Sequence, residues 1–316
     1  MRDTTRRTFL WSTATTAALA SVPTLGAADS VWLNAEAPVE VTLHDVATTT
    51  GDAYTVGNGG FILERGEDLW GIAASGGPTG NGNDLYAADV TDDGERLWVV
   101  GASGAIGEYD VESRSLVDHS APNDVTNNFN DVAVTGEAGE ANVYVAGDSG
   151  SIYYSFENGA SETWDSVTPG SGSNLNAIDF YGPRSGYVVD GNTTVFTTTD
   201  GSTWEAVGIE DANNDFYGVD ADGADEVTIV GGNGTVYRRA DAAWVRSDTG
   251  DTSLQDVEVT GESGVAVGGG GAVFRRDAEG WTQEATPTGS NLTAVVDSEG
   301  LEVAVGAGGT ILERSG

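Results

Sequence analysis

The stretch Val56-Gly57-Asn58-Gly59-Gly60-Phe61-Ile62-Leu63 joins two apolar, strand-like segments through a glycine-rich turn. Glycine accepts the positive φ that tight turns between strands need. Similar turns recur at Gly101-Ala102-Ser103-Gly104, Gly147-Asp148-Ser149-Gly150, Gly231-Gly232-Asn233-Gly234, Gly268-Gly269-Gly270-Gly271 and Gly306-Ala307-Gly308-Gly309. One further unit departs from the pattern, with Asp190-Gly191-Asn192-Thr193 at this place. Self-similarity of this kind indicates a repeat architecture.

Each repeat unit supplies four short strands. A bulky apolar residue opens the unit, and these residues are Leu43, Leu85, Phe129, Leu175, Phe216, Leu254 and Leu292. A third strand follows the glycine turn, and a tryptophan marks a fourth strand in most units, at Trp70, Trp164, Trp204, Trp244 and Trp281. Four strands in roughly 40 residues is the period of propeller blades. The pattern therefore predicts an all-β chain in which residues 29–316 form a single seven-bladed β-propeller.

The last unit stops after its third strand, at Arg314-Ser315-Gly316. A candidate for the missing strand lies at the other end of the propeller, because Trp32, Pro38 and Leu43 have the same spacing as Trp281, Pro287 and Leu292. An open ring would leave a bare sheet edge that is prone to aggregation. Residues 31–41 are therefore predicted to complete the last blade as its outer strand and close the ring.

The N-terminus has the pattern of an export signal. Thr5-Arg6-Arg7-Thr8-Phe9-Leu10 matches the twin-arginine signal, and a mildly apolar run extends from Trp11 to Val22. Small residues for cleavage follow at Gly26-Ala27-Ala28. The run is too short and too polar to span a bilayer. Residues 1–28 are thus predicted to be a twin-arginine signal peptide, with Arg6 and Arg7 as its recognition pair. The mature protein is expected to be extracellular or associated with the cell surface.

The charge balance is strongly acidic. The chain has 50 Asp and Glu against 13 basic residues, all of them Arg, for a formal net charge of -37. At molar salt the Debye length is only about 3 Å, so most of the mutual repulsion is screened. This composition predicts a protein from an extreme halophile. A net anion also lacks the counterion release that drives nucleic-acid binding, so no nucleic-acid partner is expected.

The residue types that most often carry catalysis or hold metals are scarce. There is no cysteine and there are only two histidines, His44 and His119. We therefore predict no catalytic residues, no metal site and no cofactor. Asp45, Asp131 and Asp256 share the third position of the opening strand. Near the axis these carboxylates would either bind a cation or hydrogen bond to a neighbouring blade, and the second is the expectation.

The arginines are not evenly distributed. Six of them cluster at the end of the third strand: Arg65, Arg238, Arg239, Arg275, Arg276 and Arg314. Four occupy equivalent positions in blades one, five, six and seven, which are neighbours in a closed ring; they are Arg65, Arg239, Arg276 and Arg314. Arginine binds carboxylates and phosphates bidentately, so this arc is a candidate site for an anionic ligand or an acidic partner. The alternative is that these arginines pair with nearby acids such as Glu64, Asp241, Asp277 and Glu313 and bridge the blades.

The turn residues Val56 to Leu63 and their relatives resemble the repeats of the photosystem II assembly and stability factors, which belong with the BNR/Asp-box propellers. Thr198-Thr199-Asp200-Gly201-Ser202-Thr203-Trp204 is similar to an Asp-box, one residue short, and the other units lack the box. In an Asp-box, Asp and Trp tie a hairpin together, so Asp200 and Trp204 are expected to be structural. The resemblance covers roughly residues 31–316 and implies an extracytoplasmic scaffold that binds membrane-protein partners.

Together these features predict an exported, monomeric, non-enzymatic propeller that binds a protein partner. Such a partner would belong to a membrane or cell-surface complex whose assembly or stability the propeller assists. A glycan-binding or sialidase-like propeller is the alternative, in which Arg239 and Arg276 act with Tyr237 and Tyr109. A purely structural surface protein is a third possibility. Fold alone does not decide among them.

Overall fold

The computed structural model describes residues 31–67, 69–170, 172–298 and 300–315, and the predicted leader, including Arg6 and Arg7, lies outside them. The described residues form 28 strands, arranged as seven four-stranded antiparallel sheets. The predicted seven-bladed β-propeller is therefore confirmed. Within these ranges no α-helix is present, and no helix is long and apolar enough to cross a membrane.

The strands fall into four layers from the axis outward. The innermost strands are β2 (Leu43–Thr48), β6 (Leu85–Val90), β10 (Phe129–Thr135), β14 (Leu175–Gly182), β18 (Phe216–Gly223), β22 (Leu254–Thr260) and β26 (Leu292–Ser298). The second strands are β3 (Ala53–Gly57), β7 (Arg96–Gly101), β11 (Asn142–Gly147), β15 (Ser185–Asp190), β19 (Glu226–Gly231), β23 (Ser263–Gly268) and β27 (Leu301–Gly306). The third strands are β4 (Phe61–Arg65), β8 (Ile106–Asp110), β12 (Ile152–Ser155), β16 (Val195–Thr198), β20 (Thr235–Ala240), β24 (Val273–Asp277) and β28 (Thr310–Ser315). The outer strands are β5 (Trp70–Ala74), β9 (Ser115–Asp118), β13 (Asp165–Val167), β17 (Glu205–Val207), β21 (Ala243–Asp248), β25 (Gly280–Glu284) and β1 (Leu33–Ala35).

The core lies between blades rather than inside any one of them. Every residue of β3 is buried, since a neighbouring blade covers each face of the sheet. The cluster between blades two and three shows how the faces interlock, with Trp98 and Val100 of β7 packed against Val132 of β10 and Val143 of β11. No blade buries its apolar faces alone, so the ring stabilises all seven together.

The glycine turns between the second and third strands are single 3-10 turns in six blades: Asn58–Gly60, Ala102–Gly104, Asp148–Gly150, Gly232–Gly234, Gly269–Gly271 and Ala307–Gly309. A further 3-10 turn, Pro122–Asp124, precedes β10. At the end of β7, a Cβ on Gly101 would stand 2.0 Å from the carbonyl oxygen of Asp84. That carbonyl instead accepts the N–H of Ala102 at 2.8 Å. Gly104 takes a φ of +75° at the end of the same turn, which disfavours a side chain there.

The two ends of the described chain meet in the seventh blade. Strand β1 pairs antiparallel with β28, with Leu33 opposite Glu313 and Ala35 opposite Ile311. Trp32, just before β1, is 4 % exposed. Its Nε1–H donates to Glu284 of the sixth blade at 2.8 Å. The predicted closure of the ring by residues just after the leader is confirmed.

Candidate functional site

The inner strands surround a central channel with a cavity of about 460 Å³. Its lining is acidic, with carboxylates at Asp45, Asp89, Asp131, Asp179, Asp220, Asp222, Asp256, Glu258 and Asp297. In strands, residues two apart share a face, so the third and fifth positions of an inner strand both point to the axis. The channel therefore collects carboxylates from both positions.

Most of these carboxylates tie one blade to the next. Asp45 accepts the backbone N–H of Val46 in its own strand and that of Ala88 in the next blade, both at 2.8 Å. Asp131 does the same with Val132 at 2.8 Å and Ile178 at 2.7 Å. Equivalent bonds to the next blade run from Val134 to Asp89, from Ala221 to Asp179 and from Val295 to Asp256. Asp220 is hydrogen bonded to the backbone of Val259 in the sixth blade.

This pattern confirms the expectation that Asp45, Asp131 and Asp256 hydrogen bond to neighbouring blades. The seventh interface uses a hydroxyl instead, because Thr293 donates to the carbonyl oxygen of Leu43 at 2.7 Å. Burial, and then the charge of Asp256, raise the pKa of Asp45 to about 8. Burial likewise raises the pKa of Asp89 to about 7. In the part of the chain that the structure describes, no group of three or more acidic or histidine side chains has the arrangement of a metal site.

At the mouth where the inner strands begin, amide, hydroxyl and aromatic side chains line the channel more than carboxylates do. Each blade contributes the second residue of its inner strand, giving a ring of His44, Tyr86, Asn130, Asn176, Tyr217, Gln255 and Thr293. His44 is hydrogen bonded to Asn58 at 2.6 Å, and its ring packs edge-on against Tyr86. Because inner strands begin at this mouth, the turns between second and third strands lie on the same face of the disc.

The predicted arginine arc divides into paired and unpaired side chains. Arg65 bridges blades one and seven, with its Nε 2.9 Å from Glu313, and also contacts Asp52 at 3.2 Å. Arg314 contacts Glu302 at 3.2 Å and Glu284 of the sixth blade at 3.5 Å. Arg275 pairs with the same two glutamates from the other side of this interface. These three arginines hold blades six, seven and one together.

Arg239 is also engaged. Its Nε lies 3.2 Å from the carboxylate of Asp225, and its Nη1 donates to the hydroxyl of Tyr187 in the fourth blade at 3.1 Å. The guanidinium also lies 5.8 Å from the ring of Trp244. Among the described residues, Asp241 and Asp277 form no ion pair with any arginine, although both are close to arginines in sequence.

Arg238 and Arg276 differ from the other four because neither has a carboxylate within ion-pair distance in the described structure. Both donate to one acceptor, the carbonyl oxygen of Gly261, at 3.4 Å for Arg238 and 2.9 Å for Arg276. Burial and the charge of Arg238 lower the pKa of Arg276. The charges of Glu262 and Asp277 act in the opposite direction from beyond ion-pair distance, so the two cations share one corner of the fold without a direct carboxylate partner.

These two arginines line a cavity of about 250 Å³ between blades five and six. Hydroxyls of Thr228 and Ser247 and apolar groups of Val236, Val245 and Trp281 complete most of its wall. Val245 is 56 % exposed, which is unusual for a large apolar side chain in this protein. Asp277 and Glu279 also reach the lining, but the Asp277 carboxylate accepts the N–H groups of Glu279 and Gly280 within its own turn. The cavity thus combines two cationic forks with an apolar wall.

The side chains that a sialidase-like site would need are not assembled. Tyr109 and Tyr237 are both buried, and they belong to blades two and five. Burial raises the pKa of Tyr109, which disfavours the phenolate that a tyrosine nucleophile requires. The Tyr237 hydroxyl faces the carbonyl oxygen of Asp211 at 3.5 Å.

The Asp-box-like segment forms a turn before β17. The Asp200 carboxylate accepts the backbone N–H of Ser202 at 2.8 Å and that of Thr203 at 2.6 Å. These bonds hold the pKa of Asp200 well below its usual range. Trp204 is buried and packs edge-on against Phe180 of the fourth blade. Asp200 is thus engaged within its own turn and Trp204 packs inside the fourth blade, whereas the arginine cavity lies between blades five and six.

Comparisons with known proteins extend the fold assignment. No protein-family model matches the chain, and no curated protein matches it by sequence. Among solved structures, it is similar to YCF48 bound to D1 peptide, with a TM-score of 0.73 and 13% identity over 94% of this chain and 99% of that chain. YCF48 from Cyanidioschyzon merolae matches with a TM-score of 0.69 and 16% identity over 90% and 98% of the two chains.

A third similar structure is an enzyme. Virginiamycin B lyase from Staphylococcus aureus matches with a TM-score of 0.77 and 11% identity, over 91% of this chain and 99% of that chain. At such identities the likeness shows the propeller fold alone. The class defined by the fold is thus the seven-bladed β-propeller, which includes peptide-binding and catalytic members.

Proposed function

We propose that this chain is an exported, non-enzymatic β-propeller that binds a carboxylate-bearing segment of a protein partner in the cavity between blades five and six. The observation that carries the proposal is the pair Arg238 and Arg276, which lack carboxylate partners in a chain of formal charge -37. The partner would be a component of a membrane or cell-surface complex, whose assembly or stability the propeller assists.

The chemistry of the cavity favours a segment that combines negative charge with an apolar side chain. Two guanidinium groups offer paired donors to a carboxylate, and a charge-assisted bond of this kind contributes about 1.5–3 kcal/mol. The exposed face of Val245 and the ring of Trp281 give an apolar residue a surface to cover. Bringing in an acidic group also relieves the repulsion between Arg238 and Arg276. The similarity to a propeller bound to a peptide supports this mode of binding.

The test is capture of partners from detergent extracts of native membranes at molar KCl. Wild-type protein is compared with the double variant Arg238→Gln, Arg276→Gln, in which the cavity keeps its shape and loses both charges. We expect capture of a discrete membrane or surface component to fall at least tenfold, because two charge-assisted contacts are lost.

A charge-matched control separates a site from a general effect of net charge. Arg114 and Arg184 are exposed and lie on blades two and four, so Arg114→Gln, Arg184→Gln makes the same change in net charge away from the cavity, although Arg114 pairs with Glu64 and Arg184 lies over the ring of Phe156. Equal loss in both double variants, or full capture by the cavity variant, contradicts the proposed site. Thermal unfolding of all three proteins shows that the comparison is between folded molecules.

A further inference from the structure

Three asparagines stand in the Asn-x-Thr pattern that marks acceptors of N-linked glycans. They are Asn192 followed by Thr194, Asn233 followed by Thr235, and Asn291 followed by Thr293. Such a pattern is used only where the asparagine is exposed in an exported protein. The twin-arginine route predicted for this chain carries folded proteins, so the folded structure decides which of the three is accessible.

All three asparagines are exposed, but the side chains of two of them are already held in hydrogen bonds by the fold. The Nδ2 of Asn233 donates to the side-chain oxygen of Asn214 at 2.8 Å, and Thr235 is 1 % exposed. The Oδ1 of Asn291 accepts the N–H of Gly270 from the preceding blade at 2.8 Å. The hydroxyl of Thr293 donates to the carbonyl oxygen of Leu43 in the next blade. Using either acceptor would disturb hydrogen bonds that its asparagine or threonine side chain makes in the folded protein.

Asn192 differs in its side-chain contacts. It is exposed like the other two, but in the part of the chain that the structure describes its side-chain amide makes no hydrogen bond. The Asp190 carboxylate fixes the turn by accepting the backbone N–H of Asn192 at 2.9 Å and that of Thr194 at 2.7 Å. The Thr194 hydroxyl points back to the carbonyl oxygen of Asn192 at 3.4 Å. The turn therefore presents amide and hydroxyl together at the surface.

This is also the one blade whose turn between second and third strands departs from the glycine-rich pattern of the other six. In blades two, three and six, the middle residue of the turn donates its N–H to the next blade, as Ser103 does to Asn128 and Ser149 to Asn174. The N–H of Asn192 is instead satisfied within its own turn by Asp190. The side chain of Asn192 is thereby left outside the contacts between blades.

We propose that Asn192 is an N-glycosylation site. The acceptor is its Nδ2, which forms a bond to the anomeric carbon of an oligosaccharide carried on a lipid phosphate. The bond from that carbon to the phosphate oxygen breaks, the phosphate leaves with the electron pair, and the amide gives up one proton. The lipid-linked oligosaccharide is the donor, and a membrane oligosaccharyltransferase on the outer side of the membrane catalyses the transfer.

The position suits a protein that also binds a partner. Asn192 lies in a turn at the start of a third strand, whereas Arg238 and Arg276 lie toward the ends of theirs. Successive antiparallel strands reverse direction, so these places are on opposite faces of the disc. A glycan at Asn192 therefore leaves the arginine cavity open. The inference rests on export, which is part of the proposed function, but not on the arginine site.

The experiment expresses the full chain, with its leader, in an extremely halophilic archaeal host. Protein from the medium, the cell surface and the cytoplasm is digested with proteases specific for acidic residues, and the masses of the peptides are measured by mass spectrometry. The variants Asn192→Gln and Thr194→Val remove the acceptor pattern, and Asn233→Gln and Asn291→Gln are matched controls at the two asparagines whose side chains are hydrogen bonded.

We expect the exported chain to carry an oligosaccharide mass on the peptide with Asn192, lost in Asn192→Gln and in Thr194→Val and kept in both controls. Exported protein with an unmodified Asn192 overturns this inference and leaves the proposed function standing. A glycan at Asn291 in place of Asn192 also overturns it, because the hydrogen bonds of the fold would not then decide which asparagine is modified. Unmodified protein held in the cytoplasm overturns both the inference and the export on which it rests.

Discussion

Replacing Trp32 by alanine tests how the ring is closed. Trp32 precedes β1, the only strand of the seventh blade that the chain supplies from its other end. Its side chain is 4 % exposed and packs among Val265 and Val267 of the sixth blade and Leu312 of the seventh. The substitution therefore weakens the one blade whose four strands are not consecutive in sequence.

The magnitude follows from the buried area. A tryptophan buries about 150–250 Å². At about 25 cal/mol per Å², this corresponds to roughly 5 kcal/mol, and Trp→Ala substitutions in cores cost about 3–5 kcal/mol. The bond from Nε1 to Glu284 at 2.8 Å is lost as well. We expect a loss of about 4 kcal/mol, or a fall in Tm of roughly 10 °C for a domain of this size.

The matched control is Trp70→Ala. Trp70 is 5 % exposed, and its Nε1 donates to Glu313 of the preceding blade at 2.9 Å. The two substitutions thus remove the same area and the same kind of bond. They differ in one respect, because β5 stays joined to β4 by a short turn whereas β1 has no such tether to β28.

The assay combines thermal unfolding with limited proteolysis at molar KCl. Both variants should lose a similar amount of stability, and only Trp32→Ala should be cleaved between residues 33 and 43 under native conditions. A Trp32→Ala protein with the wild-type Tm would refute the closure. Equal cleavage of the two variants would show that β1 does not depend on Trp32.

Three further outcomes follow from the structure. Deleting residues 31–41 should leave an open blade and abolish soluble folding, so a soluble truncated chain that melts like the wild type contradicts the ring. Asp131→Ala leaves two buried N–H groups unpaired and should cost about 3 kcal/mol, whereas Asp297→Ala removes an exposed carboxyl group from the channel lining without such bonds and should cost little. The pKa of Asp45 is raised to about 8 and that of Asp89 to about 7, so the folded state holds protons that the unfolded state releases. Stability should therefore be greatest near pH 4 and fall as the pH rises to 8, and a denaturation midpoint that rises over this range contradicts the raised values.

Much of the fold can be predicted from the sequence because each blade repeats the same pattern of strands and turns. The glycine turns mark where second strands end, and the spacing of Trp32 from Leu43 repeats that of Trp281 from Leu292. Both patterns involve residues close together in sequence, so they can be recognised without knowing which residues are in contact in the folded protein. The exception at Asp190 to Thr193 is also local, and it is where a carboxylate replaces a contact between blades.

The channel carboxylates were only half predictable. Asp45, Asp131 and Asp256 share the third position and stand out in an alignment of the units. Asp89 and Asp179 perform the same role from the fifth position, where only the alternation of a strand identifies them. Comparing the units only at the third position misses Asp89 and Asp179, although side chains two positions apart lie on the same face of a strand.

The arginine cavity could not be assigned from sequence, because ion pairs join residues that are distant along the chain. Arg65, for example, forms an ion pair with Glu313, which is 248 positions away in the sequence. The acids next to Arg238 and Arg276 in sequence, Asp241 and Asp277, do not pair with them. Which arginines lack a carboxylate partner is decided by how the blades pack against one another in the ring.

The most direct test of the partner site is photo-crosslinking from a single cysteine, since the natural chain has none. A benzophenone attached at Val245→Cys reports on the cavity, and one attached at Asn192→Cys reports on the opposite face. In membrane extracts at molar KCl, we predict a discrete crosslink from position 245 to an acidic segment of one partner, weakened by Arg238→Gln, Arg276→Gln. A partner that crosslinks from position 192 and not from position 245 would contradict the account.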